Sequence, residues 1–136
     1  GTVTDRTGET GGGGLPEWST NMNLTYANGP FSTTLTGRYI SDGIFNALWM
    51  GPDDPNYAAT KPLTINDNTV DSALYLNLNG SYNFTVLNDN SLQLFASITN
   101  LANKEPPSAP SATYPTNPVF FDQIGRTYRV GVRFSY

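Results

Sequence analysis

The sequence predicts an all-β fold: an antiparallel up-and-down transmembrane β-barrel, of which this chain carries about five strands. Three observations predict it. The segment Arg126–Tyr136 puts apolar residues on every second position, Tyr128, Val130, Val132, Phe134 and Tyr136, with Thr127, Arg129, Gly131, Arg133 and Ser135 between them. A strand sends successive side chains to opposite faces, so this segment has one greasy and one cationic face, and roughly 10 residues is what a tilted strand needs to cross a bilayer. The polar faces are built from Asn, Ser, Thr and Gly, not from the Lys and Glu expected of a water-facing sandwich. Finally, tight turns alternate with long loops, a rhythm that membrane barrels use and compact soluble domains avoid.

Five segments alternate with period 2. The first, about Glu17–Asn28, sets Trp18, Met22, Leu24 and Tyr26 against Ser19, Asn21, Asn23 and Thr25. Asn28-Gly29-Pro30 makes a tight turn. The second, about Phe31–Ser41, sets Phe31, Thr33, Leu35 and Tyr39 against Ser32, Thr34, Thr36 and Arg38. The third, about Ser72–Leu87, aligns Leu74, Leu76, Leu78, Tyr82, Phe84 and Val86 against Asn77, Asn79, Ser81 and Asn83. A second short turn is expected at Asn88-Asp89-Asn90. The fourth, about Ser91–Asn100, opposes Leu92, Leu94, Ala96 and Ile98 to Gln93, Phe95, Ser97 and Thr99. The C-terminal segment is the fifth. Residues 1–16 are expected to be an outer loop, glycine-rich at 11–14, and 42–71 and 101–125 are expected to be long extracellular loops without structure of their own.

Charge placement agrees with this facing. The charged residues in the strand cores, Arg38, Arg129 and Arg133, all fall on the polar, lumenal face; an Arg at the bilayer midplane on the other face would cost ~2–4 kcal/mol. Greasy-face aromatics gather near strand ends, where amphipathic rings favour the headgroup level.

Composition closes off several functions. Net charge is −4, with 7 basic and 11 acidic residues, which speaks against a nucleic-acid partner. There is no Cys and no His, so no thiol nucleophile, His-based triad or Cys/His zinc site can form. No catalytic constellation, resident metal or cofactor is expected. Asp53, Asp54, Asp67 and Asp71 share a loop but fit no calcium-loop spacing. The glycine run 11–14 lacks the Lys that a phosphate loop requires. Trp49, Tyr57, Tyr114 and Phe120 are aromatic residues on predicted outer loops and are the candidate ligand-binding residues, since aromatic anchors dominate recognition; packing of the loops on one another would use the same rings.

Three segments carry a resemblance. Asn100-Leu-Ala-Asn-Lys-Glu-Pro-Pro107 closely resembles the segment that follows the second-last long strand of TonB-dependent outer-membrane receptors. Phe121-Asp-Gln-Ile-Gly-Arg-Thr-Tyr-Arg-Val-Gly-Val-Arg-Phe-Ser-Tyr136 resembles their closing strand, with Tyr136 where Phe is commoner, and Tyr26–Ile40 is similar to a hairpin of the same barrels. The resemblance implies the C-terminal part of a 22-stranded barrel in a bacterial outer membrane, active in TonB-dependent uptake of a scarce nutrient: ferric siderophore, cobalamin, haem or oligosaccharide. It implies as partners outer-membrane lipid, a plug domain and the TonB complex through regions outside this chain, small-molecule cargo, and the barrel assembly machinery through a terminal signal at Phe134 and Tyr136. A passive porin barrel, or a soluble β-sandwich such as a carbohydrate-binding module, are the alternatives.

Overall fold

A computed structural model describes residues 3–86, 91–109 and 114–135. It is all-β, with no helix among these residues. The strands are β1 (Ser19–Asn28), β2 (Phe31–Ile40), β3 (Gly43–Ile44), β4 (Thr69–Val70), β5 (Ala73–Thr85), β6 (Ser91–Thr99) and β7 (Thr127–Ser135). The long strands form one sheet in the order β1-β2-β5-β6-β7, and β3 pairs with β4 in a separate ladder. The expected second turn at 88–90 and the terminal Tyr136 lie outside the described residues.

The chain divides into two compact units. The sheet unit comprises Thr20–Arg38, Leu74–Lys104 and Ile124–Tyr136. Its first hairpin closes through Gly29, whose φ of 56° suits the first central position of a two-residue turn, with Pro30 preset for the second. Strand β2 reaches β5 through Asn83 N–H, which donates to Pro30 O at 2.9 Å, and through the Thr33 hydroxyl, which donates to Asn79 O at 2.9 Å. Pairing of β5 with β6 sets Leu78 opposite Ile98, Tyr82 opposite Leu94 and Phe84 opposite Leu92. Pairing of β6 with β7 sets those partners opposite Tyr128, Val132 and Phe134. Directly opposed residues share a face, so the apolar rows read from the sequence line up across three strands.

That apolar face is uncovered. Met22, Leu24, Tyr26, Phe31, Tyr82, Phe84, Leu94 and Phe134 are all exposed, and Val130 retains 81% of its accessible surface. The large buried apolar residues are instead Ile40, Val70, Tyr75 and Phe121, none of which belongs to the apolar rows. Hydrophobic burial, worth ~25 cal/mol per Å², therefore does not act on this face within the chain.

The loop unit comprises Gly1–Ser19, Tyr39–Ala73 and Glu105–Gln123. Here the structure departs from the expectation of structureless loops. Gly43 and Ile44 pair with Val70 and Thr69, and isolated bridges join Thr7 to Leu15, Glu9 to Ile44 and Met50 to Thr64. The physical reason is polar satisfaction, because buried backbone groups must find partners. Asn68 supplies several: its amide donates to Asn46 O and Trp49 O at 3.1 Å each and its Oδ1 accepts from Asn46 N at 3.0 Å. Asn117 donates to Thr10 O at 3.1 Å, tying the glycine-rich start to a segment more than a hundred residues away. The Gly11 backbone lies so close to Phe45 that a Cβ would come within 2.9 Å of its Cα, and at Gly14 a Cβ would come within 2.9 Å of Glu9 O, so these two positions of the run require glycine for close backbone approach.

Candidate functional site

The polar face of the sheet is organised in rungs running across β5, β6 and β7. One rung in from that of Thr85, Ser91 and Ser135 stand Asn83, Gln93 and Arg133. Gln93 donates from Nε2 to Asn83 Oδ1 at 2.9 Å and accepts at Oε1 from Arg133 Nη1 at 3.5 Å. The next rung is Ser81, Phe95 and Gly131, and the one beyond is Asn79, Ser97 and Arg129. Phe95 is the single aromatic side chain in the polar row of β6, and the distal end of its ring fills the space that a Cβ at residue 131 would occupy, with Cε1 only 2.8 Å from that position. Gly131 thus seats the ring.

Around Phe95 these small side chains leave an open depression of about 260 Å³, lined also by Ser32 and Thr34 from β2. Arg129 borders it. The third strand arginine, Arg38, stands with its guanidinium carbon 5.2 Å from the centre of the Tyr75 ring, a cation–π geometry on a ring that is 1% exposed. The three strand arginines stand in three different settings: Arg38 on a buried ring, Arg133 in a polar rung and Arg129 at a depression.

The strand ends are held by asparagines. Asn100, fully buried with a φ of 53°, donates from Nδ2 to Lys104 O at 2.9 Å and accepts from Lys104 N at 2.8 Å. Asn103, at a φ of 52°, accepts at Oδ1 from Arg126 N at 3.0 Å. Asparagine tolerates the left-handed region better than other non-glycine residues. The Asn-Leu-Ala-Asn-Lys segment is thereby a folded corner that fixes where β7 begins.

The loop aromatics Trp49, Tyr57 and Phe120 pack locally. Trp49 meets Phe45 at 5.6 Å between ring centres, and Phe120 meets Phe121 at 6.3 Å. The Tyr57 hydroxyl donates to Asn66 Oδ1 at 3.0 Å, and Tyr114 is exposed. These contacts draw Trp49, Tyr57 and Phe120 into the packing of their own segments. Among the described residues no group of three carboxylates gathers, Asp53, Asp54, Asp67 and Asp71 included. The Thr69 hydroxyl and then its backbone N–H hold the Asp67 carboxyl below its usual pKa, and the backbone N–H and then the hydroxyl of Thr7 do the same for Asp5. Both are capped turns, a structural use of the carboxylate.

Two residues went unread as organisers. Glu9, fully buried, accepts from Arg6 Nη1 at 3.2 Å, Gly13 N at 2.8 Å and Ala47 N at 3.0 Å; a lone acid in a glycine-rich stretch carries no sequence signal for that. Phe95 did carry one, as an aromatic residue in an otherwise polar row. Comparison of the chain with protein-family models, curated proteins and solved structures finds no match.

Proposed function

We propose that this chain is part of an outer-membrane β-barrel receptor that takes up a scarce nutrient with energy delivered through TonB, in a bacterial outer membrane. The observation that carries the membrane part is the uncovered apolar face of the sheet, with every strand arginine on the other side. In water that face would favour aggregation; against lipid it is at its lowest free energy. The edges β1 and β7 supply the second support. Five strands fall short of even the smallest barrels, about 8, so both edges pair with further strands of the same wall. The receptor part rests on the resemblance of the closing strand and of the Asn100–Pro107 corner. On this reading the polar face lines the lumen, and the loops at 3–16, 42–71, 101–109 and 114–125 belong to the outer side.

The test is made on the whole gene product in its own cells. Expected results are recovery in the outer-membrane fraction, heat-modifiable migration on a gel, and nutrient uptake that stops when TonB is deleted. A product that is folded and monodisperse without detergent would overturn the membrane reading. A barrel whose uptake continues without TonB would leave a passive porin.

A further inference from the structure

From the depression on the polar face we infer a binding subsite for one acidic sugar residue of an oligosaccharide, centred on Phe95 and Arg129. The inference rests on the receptor reading and narrows its cargo.

Four features of the sheet point to this chemistry. First, size: about 260 Å³ lies just below the roughly 300–1,000 Å³ of drug-sized ligand sites, room for a single small ring. Second, an apolar platform: the end of the Phe95 ring lies over Gly131, in the space a Cβ there would take, 2.8 Å from Cε1. The C–H bonds on one face of a pyranose carry partial positive charge and stack on the negative face of an aromatic ring. Third, unused polar groups: among the described residues the side chains of Asn79, Ser81, Ser97 and Arg129 have no hydrogen-bond partner in the chain, and all four line the depression. Hydroxyls and an amide around an aromatic ring match the alternating hydroxyl and C–H surfaces of a sugar, whereas an acidic peptide offers no such ring of hydroxyls.

Fourth, charge. The five long strands hold Arg38, Arg129 and Arg133 and not one Asp or Glu, although acids outnumber bases 11 to 7 in the chain. The polar face is cationic against the trend of the sequence. Arg133 is engaged with Gln93 and Arg38 with Tyr75, while Arg129 borders the depression and carries a guanidinium, a group able to take a carboxylate through two parallel hydrogen bonds. A uronate ring satisfies platform, hydroxyl acceptors and guanidinium together.

The experiment is calorimetric titration of the whole purified receptor in detergent with trigalacturonate, with maltotriose as the neutral probe and triglutamate as the acidic non-sugar. Expected are binding of trigalacturonate, weaker binding of maltotriose and none of triglutamate. Phe95→Ala should weaken both sugars. Arg129→Gln should weaken trigalacturonate by ~10-fold or more, the usual worth of a hydrogen bond to a charged group, and leave maltotriose unchanged. Heat-modifiable migration of each variant establishes that the barrel has assembled. An assembled barrel that does not bind trigalacturonate, binds triglutamate equally well, or is indifferent to Arg129→Gln overturns the subsite and leaves the receptor reading standing. Failure of the unmutated protein to form a barrel overturns both.

Discussion

Replacing Gly131 with alanine should destabilise the sheet, and the sign of the effect makes it informative. In an ordinary strand the change stabilises by roughly 0.5–1 kcal/mol, since alanine loses less backbone freedom on folding. Here the new Cβ would stand 2.8 Å from Phe95 Cε1 and 3.0 Å from Cε2, with Cζ nearer still. Carbon atoms pack at about 3.5–4.0 Å, so the ring must leave its seat over Gly131 and turn toward a neighbouring rung. Overpacking of this kind costs ~1–3 kcal/mol. The assay is the guanidinium midpoint of the folded protein, followed by the fluorescence of Trp18 and Trp49, for Gly131→Ala, Phe95→Ala and the double variant. Removing the ring should reverse the sign, so that Gly131→Ala becomes neutral or stabilising in the Phe95→Ala background, with a coupling of ~1–3 kcal/mol. An unchanged midpoint in the single variant, or the same loss with and without Phe95, would refute the reasoning.

Four other outcomes are expected. Val132→Arg, on the apolar face opposite Leu94, should cost ~2–4 kcal/mol if that face meets the bilayer midplane, whereas Ser135→Arg on the polar face should assemble normally; equal damage in heat-modifiable migration would contradict the facing. Asn100→Ala should lose ~2–4 kcal/mol through its buried hydrogen bonds and its left-handed backbone, and Asn100→Gly should recover the backbone share, as read from unfolding midpoints. Glu9→Gln puts an amide donor where backbone N–H and Arg6 already donate, at ~1–3 kcal/mol, and limited proteolysis should then cut faster within residues 3–16; unaltered cleavage would count against the role of Glu9. Because the Asp67 pKa is lowered in the folded protein from its usual 3.8, its contribution is complete above that value and lost as pH falls through the lower folded value. Exchange of the Thr69 amide hydrogen should accelerate over that acid range and should not in Asp67→Asn, which keeps an acceptor oxygen.

The strands were legible in the sequence because their signal is local. Period-2 alternation in Phe31–Ile40 or Thr127–Ser135 follows from the geometry of a single extended chain, and a one-residue slip would put every side chain on the wrong face, so both extent and facing could be read. The hairpin at Asn28-Gly29-Pro30 was legible for the same reason. Facing also put Arg38, Arg129 and Arg133 together on one side, but it could not distinguish their settings. Those depend on which strand lies beside which: Gln93 reaches Arg133, and Phe95 reaches Gly131, only through the β6–β7 register. The loops were illegible altogether. Their structure rests on single polar side chains, Glu9, Asn68 and Asn117, that satisfy backbone groups far away in the chain, and such pairings leave no periodic trace. Sequence alone therefore determined which residues form the long strands and which side chains share a face, since these are properties of one strand. Only the tertiary structure decided that residues 3–16 fold onto 43–47 and that a seated ring and a guanidinium border one depression, since both arise where chemically unremarkable residues from separate segments meet.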